Sequence, residues 1–331
     1  VKATRKNQSI PTYVPKEAIK LPMFFEHKPY QGASGRLYPL PFSDSISDDK
    51  KDVNYDIITL ENEYIKTQVA PELGGKILRG LDKVGNYDFI YYNEVVKPAL
   101  VGLAGPWISG GIEFNWPQHH RPTTYMPLEA YVEENKDGSK TVWTGEVDPF
   151  YRMKGMAGIT VDPGRSYIKA KIKVYNRTEQ KQIFMWWANL AVPVNETYRT
   201  IFPPDVEWVN DHDRRCIMSW PIAKGINHSA RPFDFGDGTD ISMYEAIKVP
   251  SSFLVSQGPY IELMTGVFTD NQPDFTWIAP YETKEFEQYW YPIRDIGDVK
   301  NASIDAAVNV EVRGENLFFG FNVTGTFNNA T

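Results

Sequence analysis

The sequence predicts an all-β protein, a large antiparallel β-sandwich. Three observations carry that expectation: apolar residues recur mostly with a period of two, helical periodicity is scarce, and 24 Gly and 24 Pro are scattered along the chain as turn signals. The clearest segment is 167–175. There Ile168, Ala170, Ile172 and Val174 face one way and Lys169, Lys171 and Lys173 the other, up to the turn-forming Asn176, Arg177 and Thr178.

In chain order, residues 1–50 are rich in Pro, Tyr and Phe without strict alternation. They read as an N-terminal extension wrapped on the core, with residues 51–331 forming the sandwich domain. Residues 15–19 offer at most one helical turn, and the charge run 48–52 reads as a solvated loop. Residues 55–81 read as three short strands broken at 61–63 and 71–75. Segments 140–147, 182–192, 260–268, 284–293 and 317–327 read as further strands, while 304–312 fits a short helix or a strand. No internal repeat or low-complexity linker interrupts them.

Composition excludes several function classes. With 42% apolar and 23% charged residues the chain is not wholesale disordered. A net charge of −7 argues against a nucleic-acid binder, which carries a basic face. No run of about 18 apolar residues exists, so no membrane-spanning helix is expected. The N-terminus has basic residues but no apolar stretch, so no signal peptide is visible. Cys216 is the single cysteine, which excludes an internal disulfide framework and a cysteine zinc cage and suits the bacterial cytoplasm. Seven Asn-x-Ser/Thr sequons are read as incidental. His27, His212 and His228 show no ligand spacing, so neither metal nor cofactor is expected.

The densest chemistry lies in residues 105–127. Trp107 and Trp116 offer flat apolar faces suited to sugar C–H groups, and Glu113, Gln118, His119, His120 and Arg121 can satisfy hydroxyls. The competing reading is that the tryptophans plug the end of the fold and the histidines lie on its surface. Adjacent side chains on a strand diverge, so at most one of His119 and His120 enters a given site, where a neutral imidazole can move protons near neutral pH. Glu262 is the most informative carboxylate, because Tyr260, Glu262 and Met264 share one face of a strand where burial would suit it to act as a base. Glu113 is a second such carboxylate, and paired carboxylates serve glycoside hydrolysis. In residues 186–192, Trp187, Asn189 and Ala191 share a face opposite Trp186, Ala188 and Leu190. Asn189 there needs partners, in a structural network or a ligand. The run 211–215 reads as a charged turn or a second polar wall, and Asp205, Asp270 and Asp274 as turn caps.

Residues 60–93, with their Pro-x-x-Gly-Gly turn, resemble the N-terminal signature of galactose mutarotase-like proteins. The segment Gly-Gly-Ile-Glu-Phe-Asn-Trp-Pro-Gln-His-His (110–120) resembles a stretch of the hexose-6-phosphate epimerase branch. Residues 260–275 resemble the strand bearing the general-base glutamate, and 278–293 the closing strand pair. A narrower resemblance, through 102–122, 151–156, 186–189, 202–206 and 262–275, is to the DUF5107 family. Those are mutarotase-like domains of bacterial proteins, often followed by tetratricopeptide repeats. The resemblance implies Glu262 as the base at the anomeric hydroxyl and His119 or His120 as the first binding-site histidine. Arg79 on the first signature joins Trp107, Trp116, Gln118, Arg121, Trp187, Asn189 and Tyr260 as substrate-binding candidates. Asn189 stands where the family's acid histidine is expected, and an amide cannot deliver a proton. Near 250–258 the family would place more strands than this chain has room for. No repeats occur in the 331 residues, so the chain resembles that domain alone or part of a longer protein with a C-terminal tetratricopeptide-repeat region.

Three readings follow, all with a mono- or oligosaccharide as partner. The first is a glycoside hydrolase-like enzyme with Glu262 and Glu113, or one of them with a histidine, dividing the roles. The second is an aldose 1-epimerase-like isomerase with Glu262 as base and His119 or His120 as acid. The third is a non-catalytic sugar-binding module.

Overall fold

A computed structural model describes residues 1–20, 37–118, 120–203, 205–210, 217–219, 224–226, 232–234, 260–268 and 275–328. Its strands, in chain order, begin with β1 (Lys2–Pro15), β2 (Ile46–Glu61), β3 (Ile65–Ala70), β4 (Lys76–Asp82) and β5 (Tyr87–Ile90). A ribbon of β6 (Ala99–Gly102) and β7 (Gly105–Trp107) precedes β8 (Ile112–Asn115). Then come β9 (Glu129–Glu134), β10 (Lys140–Val147), β11 (Lys154–Val161), β12 (Ile168–Tyr175), β13 (Gln182–Phe184) and β14 (Trp186–Pro193). Two short ribbons pair β15 (Trp208–Asn210) with β16 (Ile217–Ser219) and β17 (Lys224–Ile226) with β18 (Pro232–Asp234). The chain closes with β19 (Tyr260–Val267), β20 (Thr276–Ile278), β21 (Thr283–Trp290), β22 (Asn301–Ala302), β23 (Ala306–Arg313) and β24 (Asn316–Val323).

Two antiparallel sheets make the sandwich. The larger runs β1-β2-β3-β4-β8-β14-β19, with β5 also on β4, and the smaller runs β21-β12-β11-β10-β9. Alternation sorts their side chains into layers. Ile58, Leu60, Ile77, Ile112, Phe114 and Trp186 of the large sheet pack in one buried cluster with Ile159, Ile168, Ala170 and Ile172 of the small one. Ile57 and Leu78 point the other way and join Ile10, Leu73, Val96 and Ile108 in a second cluster beneath the loops of residues 91–128. The large sheet is therefore covered on both faces, and its loop-bearing outer face is where β4, β8, β14 and β19 can present polar groups.

The period-two reading of 168–174 holds, with Ile168, Ala170, Ile172 and Val174 all buried. So do the breaks after Glu61 and at the short 3-10 turn Pro71–Leu73. Residues 304–312 resolve as strand β23. Two local expectations are corrected. Much of the N-terminal arm is a strand: β1 pairs along its length with β2, from Lys2 opposite Glu61 to Tyr13 opposite Lys50. Alternation does not mark it because polar side chains occupy both faces of this sheet edge. The charge run 48–52 lies within β2, in the solvated part of that long hairpin, and is not a loop.

Candidate functional site

Four neighbouring strands bring one polar cluster together on the outer face. Asn189 stands opposite Glu113 across the β8–β14 pairing, and Ala191 stands opposite Glu262 across β14–β19. Lys76, two residues before Leu78, enters from β4. The loops are drawn close by backbone contacts. Gly111 has φ +69°, and a Cβ there would sit 2.0 Å from the Ile77 carbonyl oxygen. Its carbonyl accepts from the Ala191 N–H at 2.9 Å, while Ala191 in turn accepts from the Tyr91 N–H at 2.8 Å. Only glycine tolerates that approach in the left-handed region.

Glu113 is buried and accepts from three side chains: Trp107 Nε1 at 3.2 Å and His120 Nδ1 at 2.9 Å, both on Oε2, and the Thr124 hydroxyl on Oε1. Burial alone would push its carboxyl up. The His120 charge and hydrogen bond, with Lys76 and Asn115, outweigh that and hold it well below the usual carboxylate range. For His120 desolvation favours the neutral ring, yet Glu113 and then Glu262 raise its pKa above the ordinary value. Its ring sits edge-on between Trp107 and Trp187, with centroids 5.6 and 4.9 Å away.

Glu262 has the opposite balance. Burial dominates and raises its pKa, against the hydrogen bond from Asn189 Nδ2 at 2.8 Å and the charge of His120. Tyr260 donates its hydroxyl to Glu262 Oε1 at 3.4 Å, bonds Ser109, and stacks on Tyr91 with centroids 5.2 Å apart. Among the described residues, the Trp187 indole N–H and Asn189 Oδ1 are buried on this same face without a hydrogen-bond partner.

The structure thus gathers Trp107, Glu113, His120, Trp187, Asn189, Tyr260 and Glu262. It places the other expected residues elsewhere. Trp116 is 2% exposed in the inter-sheet core, against Gly155, whose Cβ would lie 2.2 Å from the indole. Its contacts are those of the packing alternative. Arg79 pairs with Asp88 at 2.6 Å and lies over the Tyr92 ring. Arg121 donates to the Gly74 carbonyl, lies 3.2 Å from Glu146, and takes Asn115 Oδ1 on its backbone N–H, so it braces the loop. Gln118 is buried and accepts from the Tyr151 hydroxyl at 3.3 Å. His119, Cys216, Asp270, Asp274 and the segments 211–215 and 250–258 lie outside the described residues.

Sequence reasoning passed over Lys76, Ser109, Tyr91 and Thr124. Lys76 is the notable omission: its ammonium is buried, donates to the Ile108 carbonyl at 2.9 Å, and burial pulls its pKa down to about 8 against the pull of Glu113 and Glu262. The only sequence signal was a lysine in register with Leu78 on a strand buried on both faces. Among the described residues no group of three or more His, Cys, Asp or Glu side chains is arranged to hold a metal ion, and no helix is long and apolar enough to cross a membrane. A cavity of about 330 Å³ lies apart from the cluster, on the outer face of β1–β3, lined by Lys2, Lys6, Thr59, Lys66 and Gln68 among others.

Comparison with known proteins bears on the fold. A TPR-domain containing protein from Parabacteroides distasonis shares the fold with a TM-score of 0.65 at 17% identity, over 91% of this chain and 57% of that one. This chain therefore spans little more than half of that protein's length. Proteins described as galactose mutarotase-like are also among its structural neighbours. One from Lactobacillus casei aligns at 12% identity over 70% of this chain and 98% of its own, with a TM-score of 0.44. A candidate aldose 1-epimerase from Klebsiella pneumoniae aligns at 11% identity over 87% and 91%, with a TM-score of 0.46. Residues 33–238, more than half of the sequence, match the family described as a domain of unknown function (DUF5107), and the chain belongs to that family.

Proposed function

We propose that the cluster acts at the anomeric centre of a sugar as an aldose 1-epimerase-type acid–base site, with Glu262 as base and His120 as acid. The single observation that supports this most is the opposite electrostatic fate of the two carboxylates. Glu113 is saturated by three donors and held below the carboxylate range, so it is poorly suited to give or take a proton. Glu262 is raised, as a base working near neutral pH should be. A hydrolase with two working carboxylates gains no support from Glu113 in that state.

In the proposed reaction the Glu262 carboxylate takes the proton of the C1 hydroxyl while the C1–ring-oxygen bond breaks. His120, kept protonated by Glu113, gives its proton from Nε2 to the ring oxygen. The open-chain aldehyde turns about C1–C2 and closes again, each proton returning to its donor. In this reading Trp187 Nε1 donates to one sugar hydroxyl and Asn189 Oδ1 accepts from another, which is supported by both atoms being buried without a partner among the described residues. The fold-sharing TPR-domain containing protein, of which this chain covers 57%, supports reading the sandwich as one part of a longer protein with a tetratricopeptide region.

Polarimetry on freshly dissolved pure anomers of common hexoses tests the reading. The protein should accelerate mutarotation, and Glu262→Gln should lower that acceleration by roughly 10²–10⁴-fold. No acceleration across the panel ends the catalytic reading. Retained sugar binding without turnover, seen by calorimetry, would make the chain a binding module instead.

A further inference from the structure

The C-terminal sheet of β22, β23 and β24 is turned inside out. Alternation along β23 and β24 is regular, yet the apolar set faces outward. Leu317 is 61% exposed, Phe319 53%, Phe321 67% and Val323 52% on β24; on β23, Val312 is 74% and Val310 39% exposed. Val312 stands opposite Leu317 and Val310 opposite Phe319, so these side chains form one continuous patch. The inward face is polar. Asn309 is fully buried and donates to the Ile296 carbonyl at 2.7 Å, Asn322 donates to the Pro292 carbonyl at 3.2 Å, and Gly320 lies against Ile296. A one-residue slip would exchange the two faces. The Asn309 and Asn322 bonds therefore hold the sheet in the orientation that leaves its apolar side open. Single exposed apolar residues are ordinary, but a contiguous patch of this kind marks an interaction surface.

We propose that this face receives a second copy of the chain, the two C-terminal sheets stacking face to face about a two-fold axis. Such an interface uses the same patch on both copies and must tolerate meeting itself. This patch does, because the nearby charges lie on the other face: Glu311 accepts from Asn309 and Arg313, and Arg313 sits over the Phe318 ring. The area also suffices. Fully buried aromatics remove about 150–250 Å² each, so two half-exposed Phe and four aliphatic side chains offer on the order of 500 Å² per copy. Two copies reach about 1,000 Å², the lower bound for a specific interface. Packed sheets keep their strands roughly aligned and interdigitate across about 10 Å, which suits a flat patch of Phe, Leu and Val.

Light scattering after gel filtration, on the 331-residue protein from about 1 to 100 µM, tests this. A concentration-dependent dimer is expected. Phe319→Asp should weaken it at least about 100-fold with an unchanged circular dichroism spectrum and with the melting curve of the dilute, monomeric wild type. Val312→Lys repeats the test from the other strand, and Val84→Asp, at an exposed apolar position far along the chain, should leave the dimer intact. A protein that stays monomeric over the whole range overturns the proposal, as does a dimer indifferent to both patch variants. A monomer whose patch becomes protected only when a helical repeat region is present would assign the face to that region and overturn it equally.

Discussion

Replacing Glu113 with Gln separates the charge of this residue from its shape. The carboxamide keeps an oxygen for Trp107 Nε1 and His120 Nδ1, and the Thr124 hydroxyl can rotate to accept from the new amide. What disappears is the negative charge. A hydrogen bond to a charged group contributes about 1.5–3 kcal/mol and a neutral one about 0.5–1.5, so three converted bonds lose roughly 3 kcal/mol. That agrees with the roughly 3–5 kcal/mol typical of breaking a buried ion pair from one side.

Linkage fixes where this loss should be measured. Glu113 lies below its ordinary 4.5, so its contribution is complete above pH 4.5 and fades as pH falls through the lowered value. His120 lies above its ordinary 6.5, so its contribution is complete below pH 6.5 and is lost as pH rises through the raised value. Both are fully present between pH 4.5 and 6.5. Urea denaturation at pH 6 should therefore show Glu113→Gln less stable by about 3 kcal/mol. With five histidines in the chain, imidazole titration by NMR is tractable. His120 should titrate above 6.5 in the wild type and drop in the variant, because the desolvation that lowers it is then less opposed. A wild-type His120 that titrates at or below 6.5, or one that Glu113→Gln does not move, refutes the assignment of His120 as the protonated acid.

Two further substitutions test other parts of the account. Lys76→Met removes a buried ammonium that lowers the Glu262 pKa, so the acid limb of the mutarotation pH profile should move to higher pH, and stability should fall by about 1–3 kcal/mol because the Ile108 carbonyl loses its donor; an unmoved limb removes Lys76 from the site. Gly155→Ala drives a methyl into Trp116 and should destabilise the protein by about 1–3 kcal/mol, lowering the melting temperature by a few degrees; a silent substitution would mean Trp116 is not a packed core side chain.

Legibility in the sequence followed solvent contrast. Where a strand has one buried and one wet face, as in 168–174, the period of two gave its limits and its facing residues. The same alternation set Trp187 and Asn189 on one face and Trp186 on the other, as the structure has them. Where a strand is polar on both faces, as β1 is, no pattern distinguishes it from an arm. Where both faces are buried, as in β4, the pattern is equally silent, and nothing in it singles out Lys76. Residue type also does not reveal destination: Trp107 and Trp116 stand nine positions apart on either side of β8, yet one bonds Glu113 and the other fills the core. Glu113 and Glu262 were visible as carboxylates, but their difference comes from neighbours brought in by other strands and loops.

That difference and the orphaned atoms beside it bear on one question, whether the cluster is a binding site or a well-packed polar patch. A structural polar network in a core lowers its free energy by pairing every donor and acceptor, and each one left buried and unpaired costs about 1–3 kcal/mol. Glu113 meets that standard completely. Among the described residues, Trp187 Nε1 and Asn189 Oδ1 do not meet it, on neighbouring same-face positions of one strand, beside the imidazole of His120 and the carboxylate of Glu262. Were packing the only requirement, an apolar ring at 187 would avoid the idle donor, its smaller volume offset by the relief of an unpaired N–H. A hydroxyl can both accept from an indole N–H and donate to an amide oxygen, and a sugar carries several at neighbouring ring positions. Trp187→Phe should then leave stability unchanged or raised while weakening sugar binding by roughly tenfold, the effect of one lost hydrogen bond of about 1.4 kcal/mol. Loss of stability without loss of binding, measured by thermal melting and calorimetry on the same samples, would return Trp187 to the core.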